Sequence, residues 1–392
     1  MKPLMVAFVA LSSLLWGMSY QSFKRYALKH AAILQSQALE LDATRVNNAI
    51  ALRQANPQLT VEGARFHPNG GSVDTLMSVQ VSQAFRTPWY QTSLERQSDA
   101  AYLVSQALRT QGKAGYLREL ETLYTRYVYQ SRLSDLLRQE YRLSQKMMRI
   151  VQDRYQKGSE NKVALLRART QTMSLKSQWL DAKRQTTQLH YQLLAVAGLN
   201  KKVALETRFI YPVHVPKTAK QSTQNPQTLL LQARKRLFQA KAELNRHTWR
   251  NWELYGAWEN EPDQSILRVG VNVPLPVFNT RSEERQLARL RMRQTELEQR
   301  QYDTTVQTKR TMLKETLQTL IAQYRDVKAL WRTQRELVSL LEETYRVAKG
   351  SLFELMKEKQ TLIQTRKRLL QLQRAINMQT IALRYLQGAY ND

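Results

Sequence analysis

The stretch Leu267-Arg268-Val269-Gly270-Val271-Asn272-Val273-Pro274-Leu275 decides how this chain is read. Every second residue is apolar, and Arg268, Gly270, Asn272 and Pro274 lie between. A period of two describes a strand with one greasy and one polar face. The pattern occurs once more upstream, where Met77, Val79, Val81 and Phe85 alternate with Ser78, Gln80, Ser82 and Ala84. Each segment has a partner ahead of it. Residues 59–66 lead in through His67-Pro68-Asn69-Gly70-Gly71, and residues 252–259 through Asn260-Glu261-Pro262-Asp263. Loops so rich in turn formers predict hairpins. Two isolated hairpins among charged helices do not make a stable sheet, so they need company. Trp89, Tyr90, Trp249, Trp252, Trp258 and Phe278 fall near the strand ends, as in the interfacial girdles of membrane barrels. The strands alone fit a membrane barrel and a soluble sheet over a helical core equally well.

Outward from the hairpins the chain is helical. From Gln91 to about Tyr155 there is no proline, and glycine occurs only at 112 and 115. From Asn279 to about Tyr345 there is neither. Each stretch would extend roughly 100 Å as a helix. Such a rod must lie in a bundle or coiled coil. Leu355, Leu362, Leu369, Ile376 and Leu383 recur every seven residues, and Leu117, Leu120, Tyr124 and Tyr127 step by three and four. Sustained sevens mark helices that wrap a partner helix. Short breaks, Tyr155-Gln156-Lys157-Gly158-Ser159-Glu160-Asn161 and Tyr345-Arg346-Val347-Ala348-Lys349-Gly350-Ser351, would reverse the chain into antiparallel hairpins.

The plan is written twice. Tyr155 and Tyr345, Leu165 and Leu355, Leu193 and Leu383, and Gly198 and Gly388 pair at one offset. A first repeat over 20–198 holds a helix (about 23–55), a β-hairpin (about 59–85) and a long helical hairpin (about 91–197). A second over 226–392 holds a helix (about 226–248), a β-hairpin (about 252–276) and a long helical hairpin (about 279–388). Residues 199–225 connect them, and Tyr211-Pro212-Val213-His214-Val215-Pro216 cannot continue a regular helix.

Lys2, the apolar run from Leu4 to Trp16, and Gly17-Met18-Ser19 describe a secretory signal peptide over 1–19. The run is too short for a spanning helix, which needs about 20 apolar residues. The chain has no cysteine, which excludes disulfides, thiolate metal sites and a cysteine nucleophile. Its 60 Lys+Arg against 32 Asp+Glu give a net charge of +28. That excess suits an anionic partner, or a set of solvated helix faces that use basic residues. No catalytic, cofactor or metal site is expected. His30, His67, His190, His214 and His247 lie far apart, in no ligand spacing. Met147 and Met148 are adjacent and so point in different directions on a helix. No phosphate-binding glycine loop occurs.

Strand pairs, helical hairpins about 100 Å long and a twofold repeat together resemble the outer-membrane efflux protein (TolC-like) family. The segment from Val269 through Pro274 and Pro276 to Asn279 is similar to the strand-to-helix passage of its heavy-metal-efflux-type (CzcC-like) branch. Asn56-Pro57-Gln58-Leu59 resembles the family's entry into its first strand. Tyr155-Gln156-Lys157-Gly158, followed by Leu165, Leu166, Arg167 and Ala168, resembles its helix-tip motif.

The resemblance implies a mainly α protein with a small β-barrel contribution. Long antiparallel coiled-coil hairpins would form an α-barrel, and four strands per chain a trimeric 12-stranded outer-membrane β-barrel. Val79, Val81, Val269, Val271 and Val273 would lie in its strands. It implies a passive exit duct and not an enzyme. Its partners would be two further copies, outer-membrane lipid, a periplasmic adaptor and an inner-membrane pump of the RND type, with no cofactor and no nucleic acid. Gly158, Asn161, Leu165 and Leu166, with Ser351, Glu354 and Leu355, would be the adaptor-contact tips, or residues that merely end and restart helices. Glu354 and Lys357 would fall in the gate region. Ala348 and Lys357 depart from the glycine and acidic residue usual there. Two other readings compete. A basic secreted coiled coil that binds nucleic acid or envelope polymers fits the charge. A periplasmic adaptor fits the long hairpins but needs compact β-rich domains flanking one hairpin.

Overall fold

The computed structural model describes residues 17–66, 74–214, 224–261, 263–346 and 352–391. In chain order the elements are α1 (Tyr20–His30), α2 (Ala32–Leu52), β1 (Gln58–Phe66), β2 (Asp74–Arg86), α3 (Pro88–Gln156), α4 (Lys162–Val196), α5 (Pro226–Leu244), β3 (Asn251–Asn260), β4 (Ser265–Asn272), α6 (Ser282–Arg346) and α7 (Leu352–Leu386). The chain divides into two compact units. One comprises 1–36, 112–225 and 305–392; the other comprises 37–111 and 226–304. No described helix is long and apolar enough to cross a membrane.

The second unit carries the sheet. Its four strands are antiparallel in the order β1-β2-β3-β4, so the two expected hairpins are joined by β2 pairing with β3. Below the strands, small residues allow close helix contact: Ala107 packs with Leu230 and Ala233. Asn48 Nδ2 donates to the Ser98 carbonyl at 2.7 Å, tying α2 to α3. Arg86 at the end of β2 donates to the carbonyls of Ala51, Leu52 and Arg53. Those carbonyls are the orphans left where α2 stops.

In the other unit the three-four stripe on α3 is the core. Leu117, Leu120, Tyr124 and Val128 are buried, against Phe23 and Ala27 of α1 and Leu193 and Ala197 at the end of α4. The stripe of sevens on α7 supplies Ile376 and Leu383, which meet Leu313, Leu317 and Ile321 of α6. Leu370 of α7 also packs with Tyr129 and Leu136 of α3. The partly buried Glu140–Lys367 ion pair lies between the same two helices. The two halves share local features: α4 and α7 each have 35 residues and begin at Lys162 and Leu352. Both are followed by a left-handed glycine, Gly198 (φ 71) and Gly388 (φ 74). The amide after each glycine donates back to the helix, Leu199 to Leu194 at 2.8 Å and Ala389 to Arg384 at 3.0 Å. This termination needs positive φ, which glycine adopts without a side-chain clash.

Three expectations need correction. The first helix is two, α1 and α2, because Ala31 is extended (φ −65, ψ 117). The helix expected over 226–248 stops at Leu244. Val273 lies outside the strands: pairing ends at Glu253 with Asn272, and the next residue precedes Pro274. A residue before proline keeps an extended backbone, but proline itself has no N–H for a ladder.

Met18 and Ser19 are hydrogen-bonded into the fold. Met18 N–H donates to the Ala204 carbonyl at 2.7 Å, and the Met18 carbonyl accepts from Glu206 N–H at 3.0 Å. A Cβ on Gly17 would sit 3.0 Å from the Leu205 carbonyl carbon. Ser19 caps α1 by accepting from Ser22 N–H. Removal of residues 17–19 is expected to take these bonds with it, including a cap worth about 1 kcal/mol, read as a lowered thermal midpoint.

Candidate functional site

The first candidate surface is the sheet. Residues directly opposite across antiparallel strands share a face. Leu59 faces Val81, Val61 faces Val79, Val79 faces Trp258, Trp258 faces Leu267, and Leu254 faces Val271. All of these lie on one side. Val269 joins them opposite Gly256, and Phe85 stacks on Trp252 at 4.9 Å between ring centres. This apolar face is uncovered: Leu267 is 76% exposed and Val269 73%.

The other face is mostly polar. Thr60, Glu62, Ser78, Gln80, Ser82, Glu253, Tyr255, Glu259 and Arg268 lie on it by the same register. Arg268 pairs with Glu259, and Tyr255 lies over Gly270, where a Cβ would meet its phenol oxygen at 2.5 Å. Such a sheet leaves its greasy side exposed, while on its polar side Ser82 is buried and Gln80, Tyr255 and Glu259 are half-buried, the reverse of a globular domain. β1 and β4 are edges with free ladder groups.

The second candidate is the tip between α3 and α4. Gly158 (φ 72) ends α3: its N–H donates to the Tyr155 carbonyl, and Ser159 N–H donates to that of Arg154 at 2.9 Å. Asn161 starts α4, its Oδ1 accepting from Ala164 N–H at 2.8 Å. Both residues have a local structural task and are also exposed. Leu166 is half exposed, but Leu165 and Leu355 are buried, so they support the tip instead of presenting it. One step on a helix turns about 100°, which puts neighbours on different faces. Glu354 and Lys357 are exposed on α7. Ser351 and the second break lie outside the described residues.

The expectations missed Phe353, which is 71% exposed. Together with Met147, Ile150, Val163 and Leu166 it lines a groove of about 1030 Å³ at the tip. A single aromatic next to an acidic residue carries no periodic signal. Further exposed apolar residues form rows of sevens: Leu166, Met173 and Leu180 on α4, Leu290 and Leu297 on the first part of α6, and Leu330 and Leu337 on its later part. Rows of this kind are seams with nothing yet in them.

The third feature is a buried carboxylate. Glu121 of α3 is 2% exposed and accepts three phenol hydroxyls, from Tyr20 at 2.9 Å, Tyr211 at 2.7 Å and Tyr390 at 2.5 Å. It joins α1, α3, the connector and the C-terminal end. Burial, with the Glu121 charge behind it, pushes the pKa of all three phenols well above the usual tyrosine value, so they are much weaker acids. Two histidines serve packing: His190 stacks with Tyr127 and bonds the Val203 carbonyl, and His247 bonds Ser93. Among the described residues no three His, Asp or Glu side chains gather as a metal site.

No protein-family model matches the chain, and no curated protein matches it in sequence. Solved structures match its fold. The Campylobacter jejuni CmeC outer membrane channel aligns with a TM-score of 0.76 at 14% identity, over 94% of this chain and 85% of that one. CusC, described in terms of transmembrane channel formation, aligns at 0.77 and 16%, over 94% and 91%. The open state of the Neisseria gonorrhoeae MtrE outer membrane channel aligns at 0.75 and 14%, over 94% and 88%. At such identities the likeness establishes a common fold: long helices and a four-stranded antiparallel sheet.

Proposed function

We propose that the chain is one protomer of a trimeric outer-membrane exit channel. The observation that carries this reading is the sheet with an uncovered apolar face, a polar opposite face and two open edges. In water such a face would be an aggregation site. In a bilayer it is the expected outside of a barrel wall. Three copies joined through β1 and β4 would close twelve strands and leave no edge. The strands have 9, 13, 10 and 8 residues, near the roughly 9–11 needed to cross a hydrocarbon layer at a tilt. The empty rows of sevens on α4 and α6 would pack between copies. The fold it shares with outer-membrane channels supports the same reading.

On this reading the β-strands, including Val79, Val81, Val269 and Val271, lie in the outer membrane and the helices extend into the periplasm. The two repeats are the internal duplication of one protomer, and 199–225 is its connector. The protein catalyses nothing; substrate passes along the lumen, and energy comes from an inner-membrane pump, of the RND type by the resemblance. The segment Val269–Asn279 favours the heavy-metal-efflux branch of the family. Purified protein in a planar bilayer is expected to give discrete conductance steps. Protein that inserts in no bilayer, and needs no detergent, overturns the proposal.

The adaptor would dock at the helix tips, on Gly158, Asn161, Leu166, Phe353 and Glu354, with Leu165 and Leu355 holding them from inside. Leu166→Asp combined with Phe353→Asp removes two exposed apolar anchors. Loss of a binding hot spot costs about 2 kcal/mol or more, so adaptor affinity is expected to fall at least about tenfold. Conductance in the planar bilayer should remain. Unchanged adaptor co-purification would move docking elsewhere.

A further inference from the structure

A basic groove lies on the helical unit, and none of the tip residues lines it. It is bounded by α3, α6, α7 and the connector, with a volume of about 760 Å³. A smaller hollow of about 430 Å³ adjoins it, and the two share Arg132, Tyr324, Lys328 and Gln373. The charged residues lining the pair are Arg132, Arg208, Arg325, Lys328 and Arg366, against Glu206 and Asp135. Five cations thus face two carboxylates. Among the described residues none of the five forms an ion pair.

The walls are held in place without using up this charge. Arg132 Nε donates to the Thr207 carbonyl at 2.8 Å, and its guanidinium lies over the Phe209 ring. That leaves its two terminal nitrogens for a ligand. Asn377, fully buried, fastens the connector: it accepts from Tyr211 N–H at 2.9 Å and donates to the Tyr211 carbonyl at 3.0 Å. Gln373 donates to the Tyr324 hydroxyl at 3.1 Å. Arg366 donates to Gln139. Arg325 and Lys328 are three residues apart on α6, so their side chains rise from one face.

Cations from four separate elements that line two adjoining hollows repel one another unless something negative sits between them. A concave wall of low dielectric strengthens the field there. Arginine forks suit phosphate and carboxylate oxygens in pairs. We propose that this groove binds a small multivalent oxyanion, of the phosphate- or carboxylate-bearing class. The Phe209, Pro212 and Val213 side of the groove would take an apolar portion of the same molecule. The site stands apart from the channel reading, since a protein that conducts nothing would still bind.

The test is calorimetric titration of the detergent-extracted full chain at matched ionic strength. Inorganic pyrophosphate is one arm and citrate the other, which separates phosphate from carboxylate preference. Saturable binding is expected with at least one of them. Arg325→Glu with Lys328→Glu should weaken it about tenfold or more, as loss of two charge-assisted bonds requires. Arg325→Gln with Lys328→Gln serves if the reversed pair fails to fold. Arg169→Glu with Lys176→Glu makes the same change of net charge on exposed α4 positions and should change affinity less than about twofold, since distant exposed charges are screened. No saturable binding to the unmodified protein overturns the proposal. So does equal weakening by both pairs, which would mean attraction to net charge alone.

Discussion

Replacing Glu121 by alanine is expected to lower stability by about 3–6 kcal/mol, because three buried phenol hydroxyls lose their acceptor at once. Each unsatisfied buried group costs about 1–3 kcal/mol. The loss should appear as a fall of about 4–7 °C in thermal midpoint, followed by circular dichroism. Glu121→Gln keeps the shape and one good acceptor oxygen, so its effect should be about half as large. A helix-surface carboxylate such as Glu315 should cost less than about 0.5 kcal/mol when removed. The same cluster sets a sign for alkaline pH. Tyr20, Tyr211 and Tyr390 resist ionisation in the folded chain. Their contribution is complete below the ordinary tyrosine value of about 10 and is lost as pH rises above it, where only unfolded phenols ionise freely. A midpoint unchanged by Glu121→Ala would mean that α1, the connector and the C-terminal end are held by apolar packing alone.

Val269→Arg has the second large effect, and it separates two environments. Val269 is 73% exposed on the apolar face of the sheet. On a sheet facing water, arginine there would change stability by no more than about 0.5 kcal/mol. Facing the middle of a bilayer it costs about 2–4 kcal/mol in every copy. The variant is therefore expected to be depleted from the outer-membrane fraction and to assemble poorly. Gln80→Arg, on the polar face, should assemble normally. Equal tolerance of both substitutions would place water on both sides of the sheet.

Much of the architecture follows from local pattern. The alternation beginning at Leu267 is β4, and it stops where Pro274 removes an N–H. The sevens on α7 are its buried seam at Ile376 and Leu383. Gly198 and Gly388 stand out as a repeat pair because both end helices in a conformation that favours glycine. Other features have no local signal. Ala31 breaks a helix although alanine is a strong helix former, so tertiary contacts decide there. The β2–β3 pairing unites segments more than 160 residues apart, as does the contact between Thr87 and Trp249. Glu121 reads as an ordinary helix-surface glutamate, because its partners lie 101, 90 and 269 residues away. At the tip the motif marks the turn, but a helix phase set by packing puts Leu165 inside and Leu166 outside.

If three such chains make one tube with a membrane-embedded end, electron imaging of protein extracted from membranes in mild detergent will show it. Threefold-symmetric tapered tubes longer than about 100 Å are expected, with detergent gathered at the sheet end. Monomeric or dimeric rods that stay in solution without detergent would contradict it.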